Sequence, residues 1–472
     1  MYHLSVVIRM ILYMCLMQPL FSQTENFAKL DRYFDVLDSA DRFMGSIAVL
    51  KNGKMIYQRS LGFSYIEKGI KAEALTGYRI GSISKTFTAV LVMKSVEKGK
   101  LSLEQTIDIW FPQMPNANRI TVRHLLTHRS GIHNFTDVPT YLRWNTAYRN
   151  EQQMLDTIVA QPSDFEPGTK ASYSNSGYVL LTLILQKVWG RTYGSLLQKY
   201  ILRPGNLKAT TYAILLDTMG IHAQSYRKVF GWWRQSITDA SVPLGAGAIS
   251  STAFDLARFG SQLFEGKFIT KESIAEMQKM VDNIGMGLFR FPFYERWSYG
   301  HGGSIDGFQS FFSCFPKEKL AYVLLSNGSA IPTNDVSIAI LSAIFGKSFE
   351  IPAMALVELS SKELELYTGT YVSKKLPVKI TVYQKDSKMY AQATGQMPFP
   401  LVAHGAHRFS YEKAYRDGFF PAKERNAAET GWRIFSFQQR VNETSGNGML
   451  FVNILIKKMR AEVNLTSALI FL

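Results

Sequence analysis

The sequence predicts a mixed α/β (α+β) fold, an antiparallel sheet flanked by helices, followed by a small β-rich domain. Three observations predict it. Near the N-terminus the apolar runs Ser46–Leu50 and Met55–Tyr57 flank Lys51-Asn52-Gly53-Lys54, and an Asn-Gly between apolar runs marks a tight hairpin. Far downstream, Phe308–Phe315 and Leu320–Ser326 are joined by Pro316-Lys317-Glu318-Lys319, a second hairpin. From Ile351 the texture changes: Leu366–Tyr371, Val378–Tyr383 and Met389–Ala393 carry β-formers with turn residues between them. Strands at both ends with helices between indicate one large domain whose sheet gathers both chain ends.

The elements follow in order. Phe27–Phe43 has apolar residues near helical spacing. After the first hairpin, Tyr78-Arg79-Ile80 runs as a strand into Gly81, then Ser82 and an apolar helix through Met93. Ile120–Ile132 places His124 and His128 four apart, a spacing that can ligate zinc on a helix. The glutamate of the metalloprotease form is missing, so a structural turn ending at Gly131 is expected instead. Further helices are expected at Met154–Ala160, Tyr178–Val188, Ser195–Leu202, Phe254–Phe264, Ser273–Met280 and Asp335–Phe345. Gly245-Ala246-Gly247-Ala248 lacks the lysine of a phosphate loop and reads as close backbone packing. The domains expected are a signal segment 1–22, a main domain 23–350 and a β-rich domain 351–472.

Composition narrows the function classes. A chain of 472 residues with 46% hydrophobic and 19% charged residues is globular, not disordered. The net charge of +16 is scattered rather than gathered in runs, which argues against nucleic acid and suits anionic cell-wall polymers or lipids equally well. Met1–Ser22 has His3 and Arg9 ahead of the apolar Met10–Met17, the pattern of a secretory signal. Export to a bacterial periplasm or the medium is therefore expected, with no transmembrane span after its removal; Val463–Leu472 is apolar but too short to cross a bilayer. Of the two cysteines, Cys15 lies in the signal, so Cys314 has no disulfide partner and reads as core.

Three stretches carry chemistry. Ser82 and Lys85 are three apart at the start of a helix, so the amine shares a face with the hydroxyl. The same spacing occurs at Ser95/Lys98, Ser225/Lys228 and Ser410/Lys413, but in polar surroundings. Tyr173-Ser174-Asn175 follows turn residues and precedes an apolar helix; the phenol, favoured as phenolate by nearby cations, is a second candidate base, and the Asn175 amide suits a substrate amide. Tyr148-Arg149-Asn150 has the same spacing. In Tyr299-Gly300-His301-Gly302-Gly303-Ser304, glycines permit close backbone approach around a histidine able to donate to a substrate or to lower the tyrosine pKa. The Ser304 N–H can pair with that of Ser82 around an oxyanion.

Taken in order, Ser82-Ile83-Ser84-Lys85, Tyr173-Ser174-Asn175 and His301-Gly302-Gly303 resemble the three motifs of the serine β-lactamase and penicillin-binding protein superfamily. The resemblance is to the branch of class C enzymes, D-alanyl-D-alanine carboxypeptidases, D-aminopeptidases and esterases, and it covers Phe27–Gly346. It implies an all-helical subdomain beside the sheet and a small β-barrel-like C-terminal domain. It also implies an acyl-enzyme on Ser82, Lys85 and Tyr173 moving the proton, and Asn175, His301 and Ser304 binding a small peptide, amide or ester. No metal or organic cofactor is implied. His-Gly-Gly in place of Lys-Thr-Gly lacks the groups a β-lactamase sets around the substrate carboxylate. The alternative is a non-catalytic protein that binds peptidoglycan.

Overall fold

The Asn52-Gly53 turn is built as its sequence requires. Both residues take positive φ, 52° and 70°, the backbone of a two-residue hairpin whose twist matches the strands it joins. In this computed structural model the described residues are 26–212, 222–228, 231–352, 359–373, 376–386, 388–393, 398–403, 408–411 and 433–436. The expected signal segment with Cys15, Lys413 and Val463–Leu472 lie outside them.

The chain divides into two units, the first comprising Phe43–Arg227 and Trp232–Ser329. Its centre is a six-stranded antiparallel sheet of β1 (Phe43–Lys51), β2 (Lys54–Leu61), β3 (Phe289–Phe293), β4 (Arg296–Ile305), β5 (Phe308–Phe315) and β6 (Leu320–Ser329). The strand order is β3-β4-β5-β6-β1-β2. The sheet thus closes by pairing β6 with β1, from Phe43↔Ser329 to Lys51↔Leu320, as the two distant hairpins predict. The mixed antiparallel α/β architecture expected of a β-lactamase-like fold is present.

Helices fill the interval. Ser84–Glu97 is buried along nearly its whole length, which is why its apolar residues are not confined to one stripe and why Ser84, Lys85, Thr86, Thr88 and Ser95 are buried with them. It packs against Asn175–Trp189 and meets the sheet through Ala253–Glu265, whose Phe259 stacks on Phe87 at 3.8 Å and tilts against Phe312 of β5 at 6.1 Å. Expected helix bounds hold to within a few residues at Glu151–Val159, Asn175–Trp189, Ala253–Glu265 and Lys271–Met277. Ser195–Leu202 is instead an α-turn, Tyr193–Leu197, running into a π-turn, Gln198–Leu202. No helix among the described residues is long and apolar enough to cross a membrane.

The second unit takes in the described residues up to Arg42, Lys228 and Gly231, and those from Ala330 onward. Its first helix spans 26–39, shorter than the expected Phe27–Phe43, because Asp41 turns to a φ of 53° and Phe43 enters β1. Tyr33 of this helix packs on Phe349, and Thr333–Ile344 forms the expected closing helix. The C-terminal strands Gly369–Ser373, Leu376–Lys385, Lys388–Ala393, Phe399–Ala403, Arg408–Tyr411 and Arg433–Ser436 pair antiparallel in sequence order over a small core that includes Tyr371, Val382, Met389 and Phe409. Among the described residues no pairing joins the first strand to the last, so this sheet is open and not the barrel the resemblance implies.

Candidate active site

Ser82 sits on the short turn Gly81–Ile83 between a strand and a buried helix. The strand Tyr78–Arg79 pairs with Ile249–Ser251, and the Ile80 N–H donates to the Ile249 carbonyl at 3.0 Å. Gly81 then takes a φ of 51°, and a Cβ there would stand 3.0 Å from the Ser304 backbone nitrogen. Both constraints call for glycine. On the other side of the gap, Ser310 Oγ donates to the Ile80 carbonyl at 2.8 Å. The turn carrying Ser82 and the end of β4 carrying Ser304 are therefore in backbone contact, while Ser82 itself is only half-buried and Ser304 is exposed.

Lys85 lies one turn along, 0% exposed. Its Nζ is 3.0 Å from Ser82 Oγ, 2.7 Å from Asn175 Oδ1 and 2.9 Å from the Ala246 carbonyl. Burial pushes its pKa well below the usual lysine value, and no carboxylate among the described residues restores it. A neutral amine has two N–H groups and one lone pair. Asn175 Oδ1 and the Ala246 carbonyl only accept, so they take the two N–H groups and leave the lone pair for Ser82. The Gly245-Ala246 segment is itself held in place: Thr88 Oγ1 donates to the Gly245 carbonyl at 2.7 Å, and Thr182 Oγ1 accepts the Gly245 N–H at 3.1 Å. It is the close backbone packing its sequence suggests.

The second stretch is fixed from outside itself. Asn175 opens its helix, and Asn134 Oδ1 accepts both the Asn175 backbone N–H at 3.0 Å and its side-chain Nδ2–H at 3.2 Å. That satisfies a free helix-start donor and turns Oδ1 of Asn175 toward Lys85. His128 holds the preceding residues. Its carbonyl accepts Ser172 N–H at 2.9 Å, its Nδ1 accepts Ser174 N–H at 3.1 Å, and its ring lies 4.3 Å from that of Tyr173. His124 and His128 do not share a helix, because Val122–Leu126 ends before His128, which has a φ of 57°. His124 Nδ1 instead accepts the Thr121 N–H in a capping box. Among the described residues, no group of three or more His, Cys, Asp or Glu is placed to hold a metal.

Tyr173 and His301 differ from their expected ionisation. The Tyr173 hydroxyl is buried and makes no hydrogen bond of good geometry among the described residues, although Ser82 is close enough to offset part of its burial. Burial wins, and its pKa is raised rather than lowered. The lowered Lys85 pKa also weakens the nearby cation that a phenolate would need. His301, 3% exposed, is driven down to about 3 by burial and by the proximity of Lys85. Its Nδ1 lies 2.5 Å from the Gly302 carbonyl, which can only accept, so Nδ1 carries the proton and Nε2 presents a lone pair. Nε2 is buried without a partner among the described residues. His301 therefore neither donates through Nε2 nor supplies positive charge to Tyr173.

The competing motifs have other occupations. Ser95 Oγ donates to the Leu91 carbonyl and accepts from Trp189 Nε1, both at 2.8 Å. Lys228 is ion-paired with Asp41 at 2.7 Å. Tyr148 is 73% exposed, and Asn150 caps Glu151–Val159. Sequence reading missed Asn134, the positioning role of His128 and the Ala246 carbonyl, none of which has a local spacing signal.

A family model described as Beta-lactamase matches residues 30–345. The chain belongs to the beta-lactamase family. Among curated relatives, penicillin-binding protein 4* of Bacillus subtilis (strain 168) is 25% identical over 419 residues, spanning 80% of this chain and 90% of its own. The teichoic acid D-alanine hydrolase of Staphylococcus aureus (strain NCTC 8325 / PS 47) is 24% identical over 315 residues, 65% of this chain and 75% of its own. In structure, the D-amino acid amidase from Ochrobactrum anthropi SV3, complexed with L-phenylalanine amide, aligns over 67% of this chain and 98% of its own at a TM-score of 0.60 and 23% identity. At that identity the likeness shows the beta-lactamase-family fold.

Proposed function

We propose that this protein is an exported serine acyl hydrolase that cleaves amide or ester bonds of D-amino-acid derivatives through an acyl-enzyme on Ser82. The observation that carries the reading is the buried Lys85 amine, 3.0 Å from Ser82 Oγ with its other two polar neighbours both acceptors. Ser82 Oγ attacks the substrate carbonyl as its proton passes to the Lys85 lone pair. The oxyanion faces the backbone N–H groups of Ser82 and Ser304. Collapse breaks the carbonyl–leaving-group bond, and the proton reaches the leaving atom from Lys85 through the neutral Tyr173 hydroxyl. Water, deprotonated by the same groups, then releases the acid and restores Ser82. Asn175 orients both Lys85 and the substrate amide.

The direction of the His301 lone pair supports a substrate class. A neutral acceptor suits a substrate N–H or ammonium, not a carboxylate, so an amide or ester of a D-amino acid with a free amino group fits better than a β-lactam. The amidase and D-alanine hydrolase relatives point the same way. Export rests on the Met1–Ser22 pattern and is checked by N-terminal sequencing of the processed protein. The function is tested with a panel of D-amino-acid amides, D-alanyl esters, D-Ala-D-Ala peptides and a chromogenic cephalosporin. Turnover of the first two well above the cephalosporin, with a fluorophosphonate probe labelling Ser82, is expected. Folded protein that labels nowhere and turns over none of them is instead a binder.

The pH profile follows from the same ionisations. Lowering pH protonates Lys85 and removes the lone pair that accepts the Ser82 proton, so kcat/KM falls on the acid side. Because the Lys85 pKa is depressed from 10.5, that limb lies well below the ordinary lysine value. His301 stays neutral between about pH 5 and 8, so His301→Gln is expected to lower activity without moving the limb. A limb near 6.5 that vanishes in His301→Gln contradicts this.

A further inference from the structure

Arg79 and Asp306 stand just outside the groups already described, one on each side of the gap. Arg79 precedes Ser82 by three residues and Asp306 follows Ser304 by two. Arg79 Nη1 donates to Asp306 Oδ2 at 2.7 Å, with side chains only 14% and 3% exposed. The other carboxylate oxygen, Oδ1, accepts the Thr238 N–H at 3.0 Å and the Thr238 hydroxyl at 2.7 Å. Arg79 Nη1 also donates to the Thr238 carbonyl at 2.8 Å, and Asn145 Nδ2 donates to Thr238 Oγ1 at 3.0 Å. Asp306 is held in the left-handed region, φ 58°, at the tip of the β4–β5 turn.

We propose that the Arg79–Asp306 pair, locked by Thr238, is a positioning device that sets the separation of the Ser82 and Ser304 backbone N–H groups. The inference rests on the hydrolase reading above. The chemistry favours this role over general stability. The strand before Ser82 and the turn after Ser304 belong to segments distant in the chain, and near the reacting hydroxyl they also meet through close backbone approach at Gly81 and Gly303 and through the Ser310 Oγ–Ile80 carbonyl bond. An ion pair with few alternatives to its geometry, buried and charge-assisted, resists their drift apart. An oxyanion site needs such rigidity because its donors must meet an atom whose position changes during reaction. Neither Arg79 nor Asp306 touches the reacting atoms, so both are positioning residues.

Asp306→Asn is the direct test. It keeps the shape but turns one of the two oxygens that three donors now share into an NH₂, so at least one of those donors loses its acceptor. On an amide or ester that the wild type turns over, kcat is expected to fall about 30–100-fold with KM within about threefold, since transition-state contacts are lost and ground-state contacts are not. Fluorophosphonate labelling of Ser82 should slow by a similar factor. Thr238→Val, which keeps side-chain volume and both charges, is expected to give a smaller drop of about 3–10-fold in the same direction. Folding is followed by circular dichroism and thermal unfolding. Folded Asp306→Asn with wild-type kcat overturns the proposal, as does a loss in which kcat and KM change together or activity merely follows the folded fraction. If Asp306→Asn does not fold, Thr238→Val decides alone, an unchanged kcat being the contrary result. Wild-type protein that neither labels at Ser82 nor turns over any substrate overturns the hydrolase reading and this proposal with it, whereas labelled wild type with an unaffected variant overturns this proposal only.

Discussion

Lys85→Ala should lose about a thousandfold or more in turnover, and Lys85→Arg should not restore it. The expectation follows from the state of the amine rather than its charge. Burial with no exposure, and no carboxylate partner among the described residues, lowers the Lys85 pKa and favours the neutral amine, whose two N–H groups have acceptors in Asn175 Oδ1 and the Ala246 carbonyl. What remains is a lone pair aimed at Ser82. Arginine keeps a cation at all accessible pH and has no lone pair to offer, so it separates a base from a mere positive charge. The two mutants also act differently on stability. Alanine leaves the buried Ala246 carbonyl and the part-buried Asn175 Oδ1 without Lys85, at a cost of about 1–3 kcal/mol for the buried one, but relieves the burial of the amine, so the net change in melting temperature is expected to be small. Steady-state kinetics on the best substrate of the panel, with circular dichroism as a fold control, checks this. Lys85→Arg within tenfold of wild type would mean that another group, Tyr173 being the candidate, takes the proton.

Much of this site was legible because its signals are local. An Asn-Gly between apolar runs fixes a hairpin wherever it occurs, and Asn52-Gly53 does so here. Ser82 and Lys85 are related by helix geometry alone, and the apolar surroundings of that helix separate them from Ser95/Lys98. The rest depends on residues whose proximity no spacing records. Asn134 and Asn175 meet across 41 positions and Arg79 and Asp306 across 227, each pair brought together only by tertiary packing. The ionisation of Tyr173 and His301 was misread for a related reason. Composition shows that cations are near in sequence, but only the fold shows that burial lowers the Lys85 pKa and that the imidazole proton is spent on the Gly302 carbonyl. The strand Phe289–Phe293 escaped notice because it is short and interrupted by Pro292, which an edge strand tolerates. The barrel expected at the C-terminus came from resemblance, not from pairing signals, and the described strands form an open sheet.

Gly303→Ala should reduce turnover by about a hundredfold while leaving Lys85 and Ser82 chemically intact. A Cβ on Gly303 would stand 2.1 Å from the Ile80 carbonyl and 2.3 Å from Ser310 Oγ. Neither is the loose end of a flexible side chain. The Ile80 carbonyl belongs to the turn that presents Ser82, and Ser310 Oγ is already bonded to that same carbonyl. The methyl can be admitted only by moving β4 away from the turn, roughly 1 Å for ordinary packing, and overpacking of this kind costs about 1–3 kcal/mol. That displacement widens the gap between the Ser82 and Ser304 N–H groups, so the loss should appear in kcat and in the rate of Ser82 labelling more than in KM. Gly190→Ala is the control. Gly190 takes a φ of 58° at the end of Asn175–Trp189 but has nothing within 4 Å of its Cβ position, so it should lose about 1 kcal/mol of stability and no activity. Equal kinetics for wild type and a folded Gly303→Ala would show that the separation of strand and turn does not govern the reaction. A loss confined to Gly303→Ala, at comparable destabilisation in both variants, would tie the rate to the width of that gap rather than to stability.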